Sequence, residues 1–549
     1  MASVHSVLSP RPRADLKSDA RRTLVLGLSV FVAFAAVSTQ MIRLALRDHH
    51  KPTIARLDAT ANHFSRPDIV DRRGRLLATD VGLPTMFADP STIHRVDETI
   101  ERLSQIFPGL DTPLNRKALS NRKSKYVLLR RSVSPALAEQ IHAMGLPGLH
   151  FKYESRRGYP AGRVAGHVLG AVDGSNKGTL GIERFLNSDP GVRHVHGARV
   201  NAEKALRLSI DMSAQFATEQ ELTTAIGRYK AEAATAVVID VDTGEVLSAV
   251  SVPGVDPSEI EELLDRKRRN RFADDVYELG SVFKPITIAM ALETGVASAR
   301  ARIDVSEPLR FGRFTIKDPH RDVKRLSLTQ VLVYSSNVGS GILAGVTGAK
   351  KQRAFLARLG LIDAIDLPEI KTAPPKLPRF WGKAATATIG YGHGISVSPL
   401  QFAVASASLV NGGYRIRPTF LVQSRQEAIN RAERVLKPST SDQIRRMLRE
   451  NVRNGTGKLA AVPGYDVGGK TGTADLARKG IYDGKSVNTS FLAAFPMRKP
   501  RFLVLTTLFD PMPGQAKKER SAGKNAAPVT GRIIQRIAPL LGVRRLTRG

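Results

Sequence analysis

Ser281 is followed three residues later by Lys284, and the pair opens an apolar run from Pro285 to Leu292. Residues three apart on a helix share a face, and Pro285 stands where a first helical turn tolerates a missing amide. A serine hydroxyl is a weak nucleophile until a neighbouring base takes its proton, and a lysine serves as that base only when uncharged. Burial and a second positive charge both lower a lysine's pKa. The second charge is available at Lys470, in Lys470-Thr471-Gly472-Thr473 after Gly468-Gly469. Glycine there would let a strand lie close beside a substrate while Lys470 and the hydroxyls of Thr471 and Thr473 hold a carboxylate. Between the two motifs lies Ser335-Ser336-Asn337. Ser335 offers a hydroxyl to relay protons, and Asn337 an amide for Lys284 and a substrate. Backbone N–H groups of Ser281 and Thr473 would form an oxyanion hole, each donor contributing about 3 kcal/mol. The chemistry these groups suit is acyl transfer through a serine ester.

Each motif alone is short enough to arise by chance. Ser-x-x-Lys recurs at Ser120 to Lys123 and at Ser521 to Lys524, and Ser-x-Asn at Ser486 to Asn488. Ser281 differs in following a glycine and in opening a helical run. Ser335 and Asn337, taken alone, read as a polar helix start. His393, in Gly390-Tyr391-Gly392-His393-Gly394, suggests a general base, but lysine already supplies the proton chemistry and a loop-structuring role fits better.

The elements that must position these residues are legible in outline. From Leu206 a short strand precedes an amphipathic helix. Two β-branched runs then meet at Asp242-Thr243-Gly244, a strong hairpin signal, a helix covers Ile286 to Gly295, and Arg501 to Asp510 reads as a late buried strand. Strands at both ends with helices between predict an α+β unit, an antiparallel sheet with helices packed on it. Upstream, 43–205 mixes short strands with Gly and Pro. There DRRGRLLATD (Asp71 to Asp80) reads as a turn and a strand, and RGYPAGRVAGHVLG (Arg157 to Gly170) and GTLGIERF (Gly178 to Phe185) as turn chemistry in a β-rich scaffold.

At 549 residues more than one folded unit is expected. The chain has no cysteine, which excludes disulfides and thiolate chemistry, and a formal net charge of +33. Such a balance points to anionic surroundings, whether nucleic acid, lipid headgroups or an acidic polymer. Nucleic acid is disfavoured, because the basic residues are dispersed and no recognition motif accompanies them. The uncharged run Thr23 to Ile42 has the length of one bilayer crossing, about 20 residues. A signal peptide cut near Ala33-Phe34-Ala35 is the competing reading, but the uncharged run continues beyond it. Basic residues flank the run on both sides, with a slight excess before it (Arg11, Arg13, Lys17, Arg21, Arg22) over that after it (Arg43, Arg47, Lys51, Arg56), so the charges only weakly favour an N-in orientation.

Ser-x-x-Lys, Ser-x-Asn and Lys-Thr-Gly in this order form a signature shared by penicillin-binding proteins and class A β-lactamases. Longer stretches sharpen the likeness: NRFADDVYELGSVFKP (Asn270 to Pro285), TATIGYGHGISVSPLQFAVASASLVNGG (Thr386 to Gly413) and YDVGGKTGTA (Tyr465 to Ala474). With the two upstream stretches, the chain from about 70 to 530 resembles a class B penicillin-binding protein, and the wording around Ser281 and His393 resembles the division-specific septal type. Leu279 departs from the proline that many relatives carry there. The resemblance implies a cytoplasmic tail (1–22), a transmembrane helix (23–42), a β-rich pedestal of the dimerisation type (43–205) and a serine β-lactamase-like transpeptidase domain (206–549). It implies that Ser281, Lys284, Ser335, Asn337 and Lys470 are catalytic and that Thr471, Gly472 and Thr473 bind substrate.

The activity implied is D,D-transpeptidation of peptidoglycan stem peptides on lipid-linked precursor, through a Ser281 acyl-enzyme that releases D-alanine. No metal or organic cofactor is needed, and β-lactams would acylate the same serine. The implied partners are a membrane-embedded glycan polymerase and other division proteins. The implied location is the inner membrane, single-pass, with the catalytic domain periplasmic at the septum. An elongation-type transpeptidase, a D,D-carboxypeptidase, a β-lactamase and a β-lactam sensor stand as alternatives.

Overall fold

The structure, a computed structural model, describes residues 28–29, 31–39, 66–188, 205–312, 314–318, 323–478, 481–512, 514–516 and 519–546. The chain divides into two units, Met1–His63 and Phe64–Gly549. In the first, residues 28–29 and 31–39 are helical, and Thr39 donates its hydroxyl to the Ala35 carbonyl. No described helix is long and apolar enough to cross a membrane. The remainder of the 23–42 span, and all of 1–22, lie outside the described residues.

The second unit begins with β1 (Ile69–Val70) and β2 (Leu76–Ala88), joined by the turn expected at Asp71 to Arg75, where Gly74 holds a positive φ. β2 is long enough to pair with β3 (Val127–Arg130) and, along most of its length, with β4 (Leu149–Gly158). Helices at Val96–Ser104, Pro113–Ser120 and Pro135–Ala143 bury Leu103, Leu119 and Ile141 beside this sheet. The latter two helices start as their sequences dictate, with Thr112 and Ser134 accepting from the third backbone amide and proline at the first helical position. Arg157, with a side chain wholly removed from solvent, lies between Glu183 at 2.6 Å and Asp80 at 3.1 Å. The RGYPAG stretch therefore contributes a buried ion pair as well as a turn. β5 (Leu206–Arg207) pairs in parallel with β1, and the chain then enters the region that carries the motifs.

There α1 (Met212–Tyr229), capped by the Asp211 carboxylate, precedes the hairpin of β6 (Ala233–Asp240) and β7 (Val246–Val252), which turns at Asp242-Thr243-Gly244. Helices α2 (Lys284–Glu293), α3 (Asn337–Thr347), α4 (Ala349–Arg358), α5 (Lys383–Ile389) and α6 (Pro438–Asn454) follow. The chain closes with β8 (Gly468–Arg478), β9 (Ile481–Phe495), β10 (Phe502–Phe509) and α7 (Ala526–Leu540). The sheet is antiparallel in the order β8-β9-β10-β6-β7.

Every residue of β6, β7 and β10 is buried, because helices cover both faces. Successive residues of a strand point to opposite faces: Val237, Ile239, Leu503 and Leu505 join the core shared with α2, while Ala236, Val238, Phe502 and Val504 join the core shared with α7. A sheet covered on both sides reads as an uninterrupted apolar run instead of an alternating one. That is why the hairpin and the late strand stand out in the sequence. β8, at the edge, has one side unpaired by the sheet, and that side meets the turn carrying Ser281.

Candidate active site

Gly280–Phe283 forms a single 3-10 turn that runs directly into α2. Two glycines make the approach of this turn to β8 possible. Gly280 has φ +60°, and a Cβ there would lie 2.7 Å from the Thr473 carbonyl oxygen; a Cβ on Gly472 would lie 2.3 Å from the Leu279 carbonyl oxygen. From the other side the Gly280 amide donates to the Gly392 carbonyl at 3.2 Å. The turn is thus held between β8 and the Gly390-to-Gly394 loop.

Lys284 is completely buried. Its Nζ lies 2.8 Å from Ser281 Oγ, 2.9 Å from Ser335 Oγ, 2.6 Å from the Ser335 carbonyl and 2.8 Å from Asn337 Oδ1. The Ser335 carbonyl and Asn337 Oδ1 can only accept. A neutral amine donates its two protons to them and leaves its lone pair for a hydroxyl proton. Burial, followed by the charge of Lys470, holds the Lys284 pKa well below the ordinary lysine value, and the carboxylate of Asp318 acts in the opposite direction. Lys470 is also completely buried, and burial lowers its pKa to about 7. Its Nζ lies 3.1 Å from Ser335 Oγ and donates to the Thr471 carbonyl at 2.9 Å. The two lysines therefore share one hydroxyl.

Ser335 adopts φ +58°, a left-handed conformation that costs a non-glycine residue about 1–3 kcal/mol and persists where surrounding contacts impose it. Those contacts come from the start of α3. Ser336 caps the helix by accepting from Gly339 N, and Asp318 accepts from Ser336 Oγ, Asn337 N and Val338 N. Asp318 was not among the residues singled out in the sequence. It stands in the unpatterned stretch Lys317-Asp318-Pro319-His320, and no spacing rule connects it to Ser336.

On β8, Thr471 is nearly buried and its hydroxyl lies 2.7 Å from that of Thr456. Thr473 is part-exposed, and its Oγ1 accepts from Ala522 N at 3.1 Å. Asn451 of α6 donates to the Gly469 carbonyl at 2.7 Å, fixing the strand from behind. The structure therefore brings Ser281, Lys284, Ser335, Asn337 and Lys470 into one hydrogen-bonded group, with Gly472 and Thr473 along its edge. His393 Nδ1 lies 2.7 Å from Glu278 Oε2, while Glu278 Oε1 accepts from Gly394 N. This carboxylate ties the glycine-rich loop to the segment leading into Ser281.

The repeated motifs have other surroundings: Ser120 donates to its own helix at Arg116, Lys524 pairs with Glu519, and Ser486 donates to Asp510. Among the described residues no cluster of side chains suited to a metal ion occurs.

The family model described as the penicillin binding protein transpeptidase domain matches residues 234–535, and that of the penicillin-binding protein dimerisation domain matches 63–189. The probable peptidoglycan D,D-transpeptidase FtsI of Caulobacter vibrioides (strain NA1000 / CB15N) is 36% identical over 494 residues, 88% of this chain and 82% of that protein. The peptidoglycan D,D-transpeptidase FtsI of Escherichia coli (strain K12) is 32% identical over 86% of this chain and 82% of its own length. The probable peptidoglycan D,D-transpeptidase PenA of Neisseria gonorrhoeae is 30% identical over 81% and 80%. The apo transpeptidase domain of Burkholderia pseudomallei penicillin-binding protein 3 superposes with a TM-score of 0.55 at 30% identity, covering 62% of this chain and 98% of that one. With both family domains in one chain and relatives at this identity along most of its length, the protein belongs to the class B penicillin-binding proteins, in their FtsI-like branch.

Proposed function

We propose that the protein is a peptidoglycan D,D-transpeptidase that cross-links stem peptides through an acyl-enzyme on Ser281. The observation that carries this is the buried Lys284 amine, 2.8 Å from Ser281 Oγ, which burial and the charge of Lys470 bias toward its neutral form. Ser281 Oγ attacks the carbonyl carbon between the two terminal D-alanines, and its proton passes to Lys284. The N–H groups of Ser281 and Thr473 hold the oxyanion of the tetrahedral intermediate. The carbon–nitrogen bond then breaks, and the leaving amine of D-alanine takes a proton delivered from Lys284 through the Ser335 hydroxyl. Lys470 supplies positive charge near the terminal carboxylate, Thr471 and Thr473 contribute the surrounding hydroxyls, and Asn337 orients both Lys284 and the donor peptide. The side-chain amine of a neighbouring stem peptide attacks the ester, forms the cross-link and returns a proton to Ser281. A β-lactam enters by the same first step, but its leaving nitrogen stays tethered.

The reading extends to place. The uncharged run 23–42 supports a single membrane anchor, N-in, with the catalytic region outside the cytoplasmic membrane where lipid-linked peptidoglycan lies. The FtsI names of the relatives support a septal role in division, with a separate glycan polymerase and other division proteins as partners. Labelling membranes with a fluorescent penicillin tests the chemistry: the wild type gives a covalent band and Ser281→Ala gives none. Incubation with pentapeptide-bearing glycan must yield dimeric muropeptides. Release of D-alanine without dimers would identify a carboxypeptidase, and a band retained in Ser281→Ala would refute the assignment of the nucleophile.

A further inference from the structure

Helix α4 begins two residues after α3 ends, at the opposite end of α3 from Asn337. Along α4 and the segment before α5 runs an open groove of about 500 Å³. Its lining is apolar at Ala354, Ala357 and Ile362, aromatic at Trp381 and cationic at Lys350 and Arg353. Trp381 is the only tryptophan in the chain. Its ring is fixed in advance: Nε1 donates to Gln352 Oε1 at 2.8 Å, and the buried Gln352 side chain donates to the Thr386 carbonyl at 3.0 Å. The Arg353 guanidinium lies 6.0 Å from the ring centre. Phe380, next in the chain, is 83% exposed. Among the described residues no carboxylate lines the groove, and neither Lys350 nor Arg353 forms an ion pair. Exposed Lys351, Arg379 and Lys383 stand close in the chain to lining residues, as does one exposed carboxylate, Asp363.

A preorganised tryptophan flanked by arginine is the kind of site that dominates binding energy at protein interfaces. An apolar concavity with a cationic rim selects an occupant carrying apolar side chains between carboxylates. The lining offers a sugar no free amide or hydroxyl, and its concave form does not match a flat bilayer. We propose that this groove docks an acidic peptide segment of a partner protein, with an apolar side chain against Trp381 and carboxylates on Lys350 and Arg353. The groove lies away from the Ser281 cluster, so an occupied groove leaves the active site open.

Because Trp381 has no second tryptophan to mask it, its emission reports on the groove alone. The test titrates the full chain in detergent with a synthetic peptide alternating Glu-Glu and Leu-Phe pairs, then with its Lys-for-Glu counterpart, then with anionic-lipid vesicles. The expected result is a saturable emission change with the acidic peptide only. Binding should weaken roughly tenfold or more in Lys350→Glu/Arg353→Glu and as salt rises, while penicillin acylation of that variant stays at the wild-type rate and so reports an intact fold. The proposal is overturned by no emission change at millimolar peptide, by an equal response to the basic peptide, by a response to vesicles without one to the peptide, or by unchanged affinity in the double variant.

Discussion

Asp318→Asn separates two roles that one carboxylate performs at the catalytic cluster. In the wild type Asp318 Oδ1 accepts from the amides of Asn337 and Val338, and Oδ2 accepts from Ser336 Oγ. Asparagine has the same shape. Its carbonyl still takes both amides, and its NH2 can donate to Ser336 Oγ, so all three contacts survive as neutral hydrogen bonds. Bonds to a charged group contribute about 1.5–3 kcal/mol and neutral ones about 0.5–1.5, so each bond weakens by about 1 kcal/mol and the three together by about 3. Thermal unfolding of the detergent-solubilised full chain should register that loss. The second effect concerns proton chemistry. The Asp318 charge is the influence that raises the Lys284 pKa against burial and Lys470. Removing it lowers that pKa further, and the amine stays neutral to lower pH. The rate of acylation by a fluorescent penicillin, measured across pH by stopped flow, should therefore have its acidic limb displaced downward in Asp318→Asn. An acidic limb displaced upward would show that Lys284 is not the base. An unmoved limb in a destabilised protein would reduce Asp318 to a helix cap.

Lys470→Met removes the like charge beside Lys284, so the acidic limb should move upward, the opposite direction from Asp318→Asn, with donor-peptide binding weakened as well. Because burial puts the Lys470 pKa at about 7, wild-type affinity for a D-alanine-terminated donor should fall as pH rises through that value, when the ammonium loses its proton; equilibrium binding to Ser281→Ala across pH checks it. Gly472→Ala places a Cβ 2.3 Å from the Leu279 carbonyl and must part β8 from the nucleophile turn; a displacement near 1 Å lowers acylation about 100-fold, with circular dichroism unchanged. Arg157→Ala removes one of two arginines from the buried Glu183, which keeps Arg66, and the arginine from Asp80; it should cost about 3 kcal/mol of stability, the low end for a broken buried pair, read by thermal unfolding, while the acylation rate at low temperature stays near wild type.

What the sequence disclosed of this molecule follows from how local each cause is. Ser281 and Lys284 meet because one helical turn brings them together, and that is written in their spacing. The β6–β7 hairpin and β10 announce themselves as β-branched runs, because a sheet covered on both faces demands apolar residues at every position. Asp318 could not be found this way. Its role depends on a loop folding back onto a helix start 18 residues downstream, and a single carboxylate without periodicity carries no trace of its destination. Arg157 illustrates the same limit, since its burial depends on Glu183 and Asp80, each far along the chain. The positive φ of Ser335 is likewise imposed by tertiary contacts on a residue type that does not seek it.

In the proposed mechanism the shared hydroxyl of Ser335 gives both lysines and the left-handed serine a part. Ser335 Oγ lies 2.9 Å from one Nζ and 3.1 Å from the other, and a hydroxyl has one proton to donate. Only a neutral amine can accept that proton, while an ammonium can only donate to the oxygen. Two buried ammonium groups on one oxygen repel each other, and two neutral amines would leave the substrate carboxylate without a counter-charge. The arrangement with one neutral and one charged lysine avoids both penalties. Lys284 is the one that loses its proton in this scheme, because burial and the charge of Lys470 both lower its pKa; the Ser335 carbonyl and Asn337 Oδ1 then take the two protons the neutral amine keeps, and its lone pair faces Ser281. On the proposed mechanism, once Lys284 has taken the Ser281 proton the pair is doubly charged, and repulsion favours passing a proton through Ser335 to the leaving amine. The αL conformation at Ser335 holds the oxygen between the amines, so the roughly 1–3 kcal/mol it costs gives the relay its direction. Ser335→Ala should accordingly leave Ser281 able to attack a β-lactam, whose nitrogen stays tethered, more readily than a peptide, whose amine must be protonated to depart. Acylation by penicillin and D-alanine release, compared in that variant, should fall unequally, with the peptide reaction suffering the larger loss. Equal losses would mean that Ser335 only positions Lys284.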